Sequence, residues 1–312
     1  MKFTKMQGCG NDYIYFNCFE ETIRDPESLS IRLSDRHTGI GGDGIVLIKP
    51  SDKADFFMDM YNNDGSRGKM CGNAIRCVGK YVYEHGMTDK AELEIETLSG
   101  IKRLKLKLNE TDPKDRAATE SNTSSDSTIT ESIPAAPKDK CCRKGIVTGA
   151  TVDMGAPITD VDKIPLNTEI IKENKLGYTL AVLARCHRFT FVSMGNPHAV
   201  TFVDNVDEVP LEELGPAYEH HEIFPERANI EFVHVIDRTH IEFRVWERGS
   251  GETMACGTGA CASAYACILN GFTENEVNVK MRGGSLVIKY DPELDTIFMT
   301  GPAVEVFTGE IE

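Results

Sequence analysis

Met70-Cys71-Gly72-Asn73-Ala74 and Ala255-Cys256-Gly257-Thr258-Gly259 each place a cysteine at the head of a segment with helical apolar spacing that ends on glycine. The cysteines stand 185 positions apart. The same shift carries Asn11 onto Asn196, Tyr61-Asn62 onto Trp246-Glu247, and Gly86 onto Gly271. It also lays Val46-Leu47-Ile48 over Glu231-Phe232-Val233. One register kept over so many landmarks marks two related halves, each offering one thiol to something held between them.

Within the repeated segments, Cys71, Ile75, Val78 and Val82 recur at helical spacing before Gly86, and Cys256, Ala260, Ala264 and Ile268 before Gly271. Both segments are apolar or small on most sides, which predicts helices enclosed by sheet. Strand-like runs surround them at 44–48, 104–108, 187–193, 230–235, 241–245 and 285–290. Outer helices are predicted near 26–36 and 208–219. The stretch 119–132 holds one large apolar residue and no aromatic. Such a segment cannot bury enough surface to offset its ordering entropy, so 109–142 reads as a disordered insertion tolerated at the surface. Cys141 and Cys142 at its end read as incidental.

A chain of 312 residues with 40% apolar content supports two medium domains with real cores. Its net charge of −15 argues against nucleic acid or an anionic membrane as partner, since both require basic patches. The N-terminal residues lack the apolar stretch of a signal peptide, and no run reaches the length of a membrane span. Ten cysteines without a secretion signal and without any Cys-x-x-Cys point to reduced thiols in the cytoplasm, with neither a zinc knuckle nor a disulfide framework.

A thiol reacts as its thiolate, and a helix N-terminus favours that anion. Two such helix ends facing one cleft would clamp a carboxylate and set one sulfur on each face of the carbon beside it. That geometry suits proton removal from one face and proton return to the other, with the developing carbanion stabilised by the donors holding the carboxylate. No metal or other cofactor is called for. Either cysteine alone reads as a buried structural residue; the matched offset, the matched Gly72 and Gly257, and the matched polar residues nine positions earlier reverse that reading.

Other signals divide. Gly39-Ile40-Gly41-Gly42-Asp43-Gly44 fits G-x-G-x-x-G but precedes a strand instead of opening a helix, so no dinucleotide site is expected. His198 follows the duplicated Asn196 by two residues, which suggests a role beside one thiol. Glu247-Arg248, in a glycine-rich loop nine residues before Cys256, suggests recognition of a zwitterion. His220-His221 lacks a third ligand and reads as solvent-exposed.

These residues resemble the diaminopimelate epimerase family, epimerases that work without pyridoxal phosphate. The resemblance runs over nearly the whole chain outside 109–142. It rests on Gly8-Cys9-Gly10-Asn11-Asp12, Asn62-Asn63-Asp64-Gly65-Ser66, Met70-Cys71-Gly72-Asn73, Gly195-Asn196-Pro197-His198, Asn229-Ile230-Glu231-Phe232-Val233, and 247–253 leading to Ala255-Cys256-Gly257-Thr258-Gly259. It implies an α/β (α+β) fold of two pseudo-symmetric domains, each a barrel-like, mostly antiparallel sheet wrapped around a central helix. The halves would span 1–148 and 149–298, with a C-terminal strand near 299–312 returning to the first. It implies interconversion of LL- and meso-diaminopimelate, a lysine and peptidoglycan precursor, with no cofactor. Cys71 and Cys256 would be the acid/base pair, supported by His198 and Glu247. Asn11, Gly72, Asn73, Gly257 and Thr258 would hold the reacting amino acid, while Asn62, Asn196, Asn229, Glu247 and Arg248 would read the distal one. The oligomeric state, monomer or homodimer, stays open.

The chain departs from the family pattern at Gln7 (usually His), Cys9 (usually Leu) and Gly44 (often a ligand-contacting Gln). Two alternatives therefore stand beside the epimerase reading: a racemase of another amino acid on the same scaffold, motivated by Gly44, and a redox-sensing thiol protein without enzymatic activity.

Overall fold

The computed structural model describes residues 1–109, 145–167, 169–170 and 176–312. The expected insertion at 109–142 lies outside the described residues apart from Asn109, as do Cys141 and Cys142. The first half opens with an antiparallel pair, β1 (Lys2–Gly8) and β2 (Asn11–Asn17). Helix α1 (Pro26–Ser34) then precedes β3 (Gly44–Lys49), which runs parallel to β2. Strand β4 (Phe56–Asn62) pairs antiparallel with β3 and leads through the short β5 (Arg67–Gly68) into helix α2 (Gly72–Glu84). Strand β6 (Glu92–Thr97) runs parallel to β4, and β7 (Gly100–Asn109) and β8 (Ile146–Gly155) add on antiparallel.

The second half repeats this plan. After β9 (Tyr178–Val182), strands β10 (Arg185–Ser193) and β11 (Pro197–Phe202) pair antiparallel. Helix α3 (Leu211–Glu219) follows, then β12 (Asn229–Asp237) parallel to β11 and β13 (His240–Glu247) antiparallel to β12. The short β14 (Gly251–Glu252) leads into helix α4 (Gly257–Leu269), and β15 (Glu276–Met281) lies parallel to β13. Strands β16 (Gly284–Asp291) and β17 (Thr296–Pro302) complete the series antiparallel. Both helix pairs, α1 with α3 and α2 with α4, match at both ends under the 185-residue shift.

Local chemistry sets these boundaries. Asp25 accepts from the Ser28 amide at 3.1 Å and Pro26 takes the first helical position, so α1 starts there. Pro210 stands at the cap of α3, so that helix begins three residues later than the 208 expected from sequence. Gly86 and Gly271, both at φ +73°, terminate α2 and α4 in the left-handed conformation that glycine adopts without strain.

Strand alternation divides the interior into three layers. Tyr13, Tyr15, Val46 and Ile48 face α2, while Ile14, Phe16, Ile45 and Leu47 face α1 with Leu29 and Leu33. In the second half Ile230 and Phe232 pack under α3 with Leu211, Leu214 and Tyr218. One continuous core encloses both central helices, α2 and α4.

The halves are joined by exchange. Strand β8 pairs with β17 in the register Val152↔Met299. Strand β9, which follows β8, pairs with β10 of the second half, and β18 (Val304–Glu310), which follows β17, pairs with β1 of the first. Among the described residues all eighteen strands form one hydrogen-bonded system. Among the described residues no helix is long and apolar enough to cross a membrane.

Candidate active site

Cys71 and Cys256 occupy the N-cap positions of the two central helices, both in extended conformation. The helices meet end to end: a Cβ on Gly257 would lie 3.7 Å from the Cα of Gly72. Met299 of β17 packs beneath the junction, where it would lie 2.6 Å (Cε) from a Cβ on Gly72 and 3.2 Å (Sδ) from one on Gly257. At Gly72 a side chain would force Met299 to move, whereas at Gly257 a shift of a few tenths of an ångström would suffice. Each helix end carries free amide groups and about half a positive charge, so the two repel unless an anion sits between them.

On the first side, the Cys71 thiol donates to Asn11 Oδ1 at 3.3 Å, and Asn11 Nδ2 donates to Asp43 Oδ2 at 2.6 Å. Behind them, Lys5 pairs with Asp12 at 2.6 Å, while Arg36 bridges Asp12 (2.7 Å) and Asp43 (2.9 Å). Burial pushes the Asp12 carboxyl up, but Arg36 and Lys5 more than offset it and hold it below its ordinary value. The Asn73 side chain turns away from the thiol and accepts from Arg76 Nη2 at 2.9 Å, which leaves its backbone amide toward Cys71. Arg76 is wholly buried; it also donates to the Gly72 carbonyl at 3.0 Å and the Pro302 carbonyl at 3.1 Å.

On the second side, Cys256 Sγ accepts from the Gly259 amide at 3.4 Å and lies 3.6 Å from Thr258 Oγ1. Asn196 Nδ2 donates to Thr258 Oγ1 at 3.4 Å, and Asn196 Oδ1 stands 3.1 Å from His198 Nε2. The other ring nitrogen of His198 lies 2.6 Å from Glu231 Oε1. Glu247 accepts from the Thr253 hydroxyl and from the Cys256 side. Its carboxylate also acts on Cys71, so one charge is felt by both thiols.

Both thiols titrate above their ordinary value. For Cys71 burial is the main cause; the Asn73 and Ala74 amides oppose it and Glu247 adds to it. For Cys256 burial again leads, reinforced by Glu247 and Glu231, and the rise is larger. The helix ends do favour the thiolate, but desolvation outweighs them. Glu247 itself is pushed up by burial, which the Thr253 and Cys256 hydrogen bonds oppose.

The distal set is held by separate local contacts. Asn229 is buried, accepts from the Arg248 amide at 2.9 Å and donates to the Pro197 carbonyl at 3.2 Å. The exposed Arg248 guanidinium donates to the Glu226 carbonyl at 3.1 Å, and Asn62 Nδ2 donates to Ser66 Oγ at 2.9 Å within its own turn. Gln7 Oε1 accepts from the Gly10 amide at 2.9 Å. Cys9 points to the Ser285 carbonyl (3.7 Å) and Arg76 (4.0 Å), so it serves the β1–β2 turn and not the thiol pair. His220 is exposed, whereas His221 is half-buried and accepts from the Ile223 amide. Two recesses, of about 330 Å³ beside Tyr178 and Leu269 and about 230 Å³ beside Lys107 and Gly301, are lined by neither catalytic candidate cysteine.

A sequence model described as diaminopimelate epimerase matches residues 3–120 and 190–306, one stretch around each thiol. The chain belongs to the diaminopimelate epimerase family. The diaminopimelate epimerase of Acetivibrio thermocellus is 48% identical over 312 residues, covering 100% of this chain and 99% of that one. That of Methanococcus maripaludis strain C5 is 46% identical with 100% of both chains covered. Among solved structures, a Bacillus anthracis protein of the PhzF family in phenazine biosynthesis matches with TM-score 0.64 and 16% identity, over 100% of this chain and 99% of that one. A probable proline racemase from Agrobacterium radiobacter matches with TM-score 0.66 and 13% identity, over 100% and 92%. These two share the fold.

The residues that the sequence reading passed over are Glu231, Arg76, Asp43 and Arg36. Glu231 had a visible signal: it is a carboxylate in an otherwise apolar strand, at a position where the sister half has Val46.

Proposed function

We propose that the chain is a cofactor-independent epimerase that interconverts LL- and meso-diaminopimelate by inverting one α-carbon between Cys71 and Cys256. The observation that carries this reading is the contact of Gly72 with Gly257, which brings two thiol-capped helix ends to one point. The substrate α-carboxylate supplies the anion those two ends require, accepting from the amides of Gly72, Asn73, Gly257 and Thr258.

Burial raises both thiols above their ordinary value, so the reaction begins with one of them passing its proton to Glu247 or His198 as substrate enters. The resulting thiolate takes the α-proton from one face. The electron pair left on carbon delocalises into the carboxylate, where the amides stabilise the growing charge. The opposite thiol then donates its proton to the other face. The two sulfurs have exchanged protonation states, and the reverse reaction runs by the same steps. Asn11 and Thr258, one beside each sulfur, align the thiols.

Asn62, Asn196, Asn229, Glu247 and Arg248 would recognise the distal amino and carboxylate groups, and a site with so many polar partners rejects substrates that leave them unpaired. In the free protein Asn229 accepts from the Arg248 amide and the others bond neighbouring groups, contacts that substrate would replace. Gly44 gives the alternative racemase reading no support. A Cβ there would meet the Tyr61 carbonyl at 2.0 Å, so the close approach of β3 and β4 requires glycine at this position. The cytoplasm fits an enzyme that needs two reduced thiols.

Exchange of the α-hydrogen with deuterated solvent is the direct test. With diaminopimelate, mass spectrometry should find one deuterium gained at the inverted carbon; absence of exchange refutes the reading.

A further inference from the structure

The two halves differ where they should be most alike. Under the 185-residue shift His198 corresponds to Tyr13, and Glu231 corresponds to Val46. Val46 is fully buried against α2, so the architecture is satisfied by an apolar side chain at this point. In the second half the same position holds a carboxylate with zero exposure, 2.6 Å from His198 Nδ1. Its other oxygen, Oε2, is buried with no hydrogen-bond partner. A buried carboxyl left half-satisfied is costly, and a buried ion pair is weak evidence of a stability role. Gly259 makes room for it: a Cβ there would stand 3.0 Å from Glu231 Oε1 and 3.2 Å from Cys256 Sγ. The carboxyl therefore lies close behind the thiol, and His198 is its hydrogen-bond partner.

We infer that Glu231 is a positioning residue for His198: it holds the Nδ1 proton, so that Nε2 is the only nitrogen through which the imidazole exchanges protons with the cleft. The inference rests on the proposed role of His198 in the thiol chemistry. With Nδ1–H committed to Glu231, Nε2 faces Asn196 Oδ1, an acceptor it can bond only when it carries a proton, and Asn196 Nδ2 in turn orients Thr258 Oγ1 beside Cys256. When Nε2 also gains a proton, the imidazolium donates from both nitrogens and Glu231 balances its charge. The other titratable groups facing this pair are Glu247 from β13 and Cys256 from α4. The first half needs no such carboxylate, because a tyrosine stands there in place of the imidazole.

Three variants in the full chain test this. Glu231→Gln keeps the shape and removes the charge. It should lower kcat about 10- to 100-fold with KM within about twofold, and should move the acidic inflection of the kcat profile to lower pH, because the imidazolium loses its counter-charge. Glu231→Asp should recover part of kcat. His198→Asn should lower kcat at least as much; a fully active His198→Asn would overturn the role of the histidine itself. Wild-type kcat and an unmoved pH profile in Glu231→Gln, with His198→Asn impaired, would overturn the assignment of Glu231 alone. A measurement independent of variants is the ¹⁵N spectrum of His198 in the unaltered protein. It should show a protonated Nδ1; a neutral ring protonated only at Nε2 would overturn the inference.

Discussion

Arg76 Nε donates to the Pro302 carbonyl at 3.1 Å, tying the central helix of the first half to the point where the chain leaves β17 for β18. The same guanidinium holds the Gly72 carbonyl and Asn73 Oδ1, and no carboxylate is among its hydrogen-bond partners in the described structure. A planar fork reaching three acceptors at once explains arginine here. Arg76→Leu should therefore destabilise the protein by about 3 kcal/mol, since it removes three hydrogen bonds at once, two of them fully buried. Arg76→Lys should recover only part of this, because one ammonium cannot span all three. Urea unfolding midpoints of the two variants check both statements.

Removal of either sulfur should stop inversion. Cys71→Ser and Cys256→Ser should each lower turnover by about 10²- to 10⁴-fold, with circular dichroism spectra like that of the parent. Retained turnover in either variant would favour a redox role for the cysteine pair over epimerisation.

Oxidation should inactivate the enzyme. Thiols flanking one carbon come within disulfide range once the site empties and the helix ends shift slightly. Peptide mapping of air-oxidised protein should recover a Cys71–Cys256 linkage, and dithiothreitol should restore activity. Linkages confined to other cysteines would contradict a shared cleft.

The helix junction should resist small additions unequally. Gly72→Ala brings a methyl to 2.6 Å from Met299 Cε, whereas Gly257→Ala meets Met299 Sδ at 3.2 Å. The first should cost about 1–3 kcal/mol and the second less, as overpacking does. Combining Gly72→Ala with Met299→Ala should return part of the loss. A double-mutant cycle of unfolding midpoints measures that coupling.

Alkali should unfold the protein through its buried thiols. Burial pushes Cys77 up to about 11 and Cys261 and Cys267 up to about 12, against an ordinary value of 9.0. A raised folded-state value means the stabilising proton is fully held below the unfolded value and lost as pH rises through the folded one. Stability should thus be flat below about pH 8 and fall steadily above about pH 9, each of these thiols removing about 1.4 kcal/mol per pH step of one until its folded value is reached. Urea midpoints from pH 7 to 11 trace this, and a midpoint that holds steady to pH 11 contradicts it.

Much of the plan was legible because it is written twice. Helical spacing from Cys71 to Val82 and from Cys256 to Ile268, each closed by glycine, fixed the central helices and put both cysteines at their heads. The outer helices were legible to within three residues at their ends. Protonation was not legible: a helix N-terminus argues for thiolate, but burial in the folded protein and the charges of Glu247 and Glu231, brought in from distant strands, oppose it at Cys256. The rotation of Asn73 toward Arg76 was hidden for the same reason, since the guanidinium adopts its pose only with Pro302 in place. In sequence Glu231 reads only as part of an apolar triplet; its partner becomes visible once β11 and β12 lie parallel and bring His198 beside it.

The pairing of β18 with β1 has a consequence for biosynthesis. Lys2–Gly8 emerges from the ribosome early, yet its edge partner Val304–Glu310 follows about three hundred residues later. The leading half must wait with an unsealed sheet edge while its twin is translated, so arrival of β18 sets the moment at which that edge is covered.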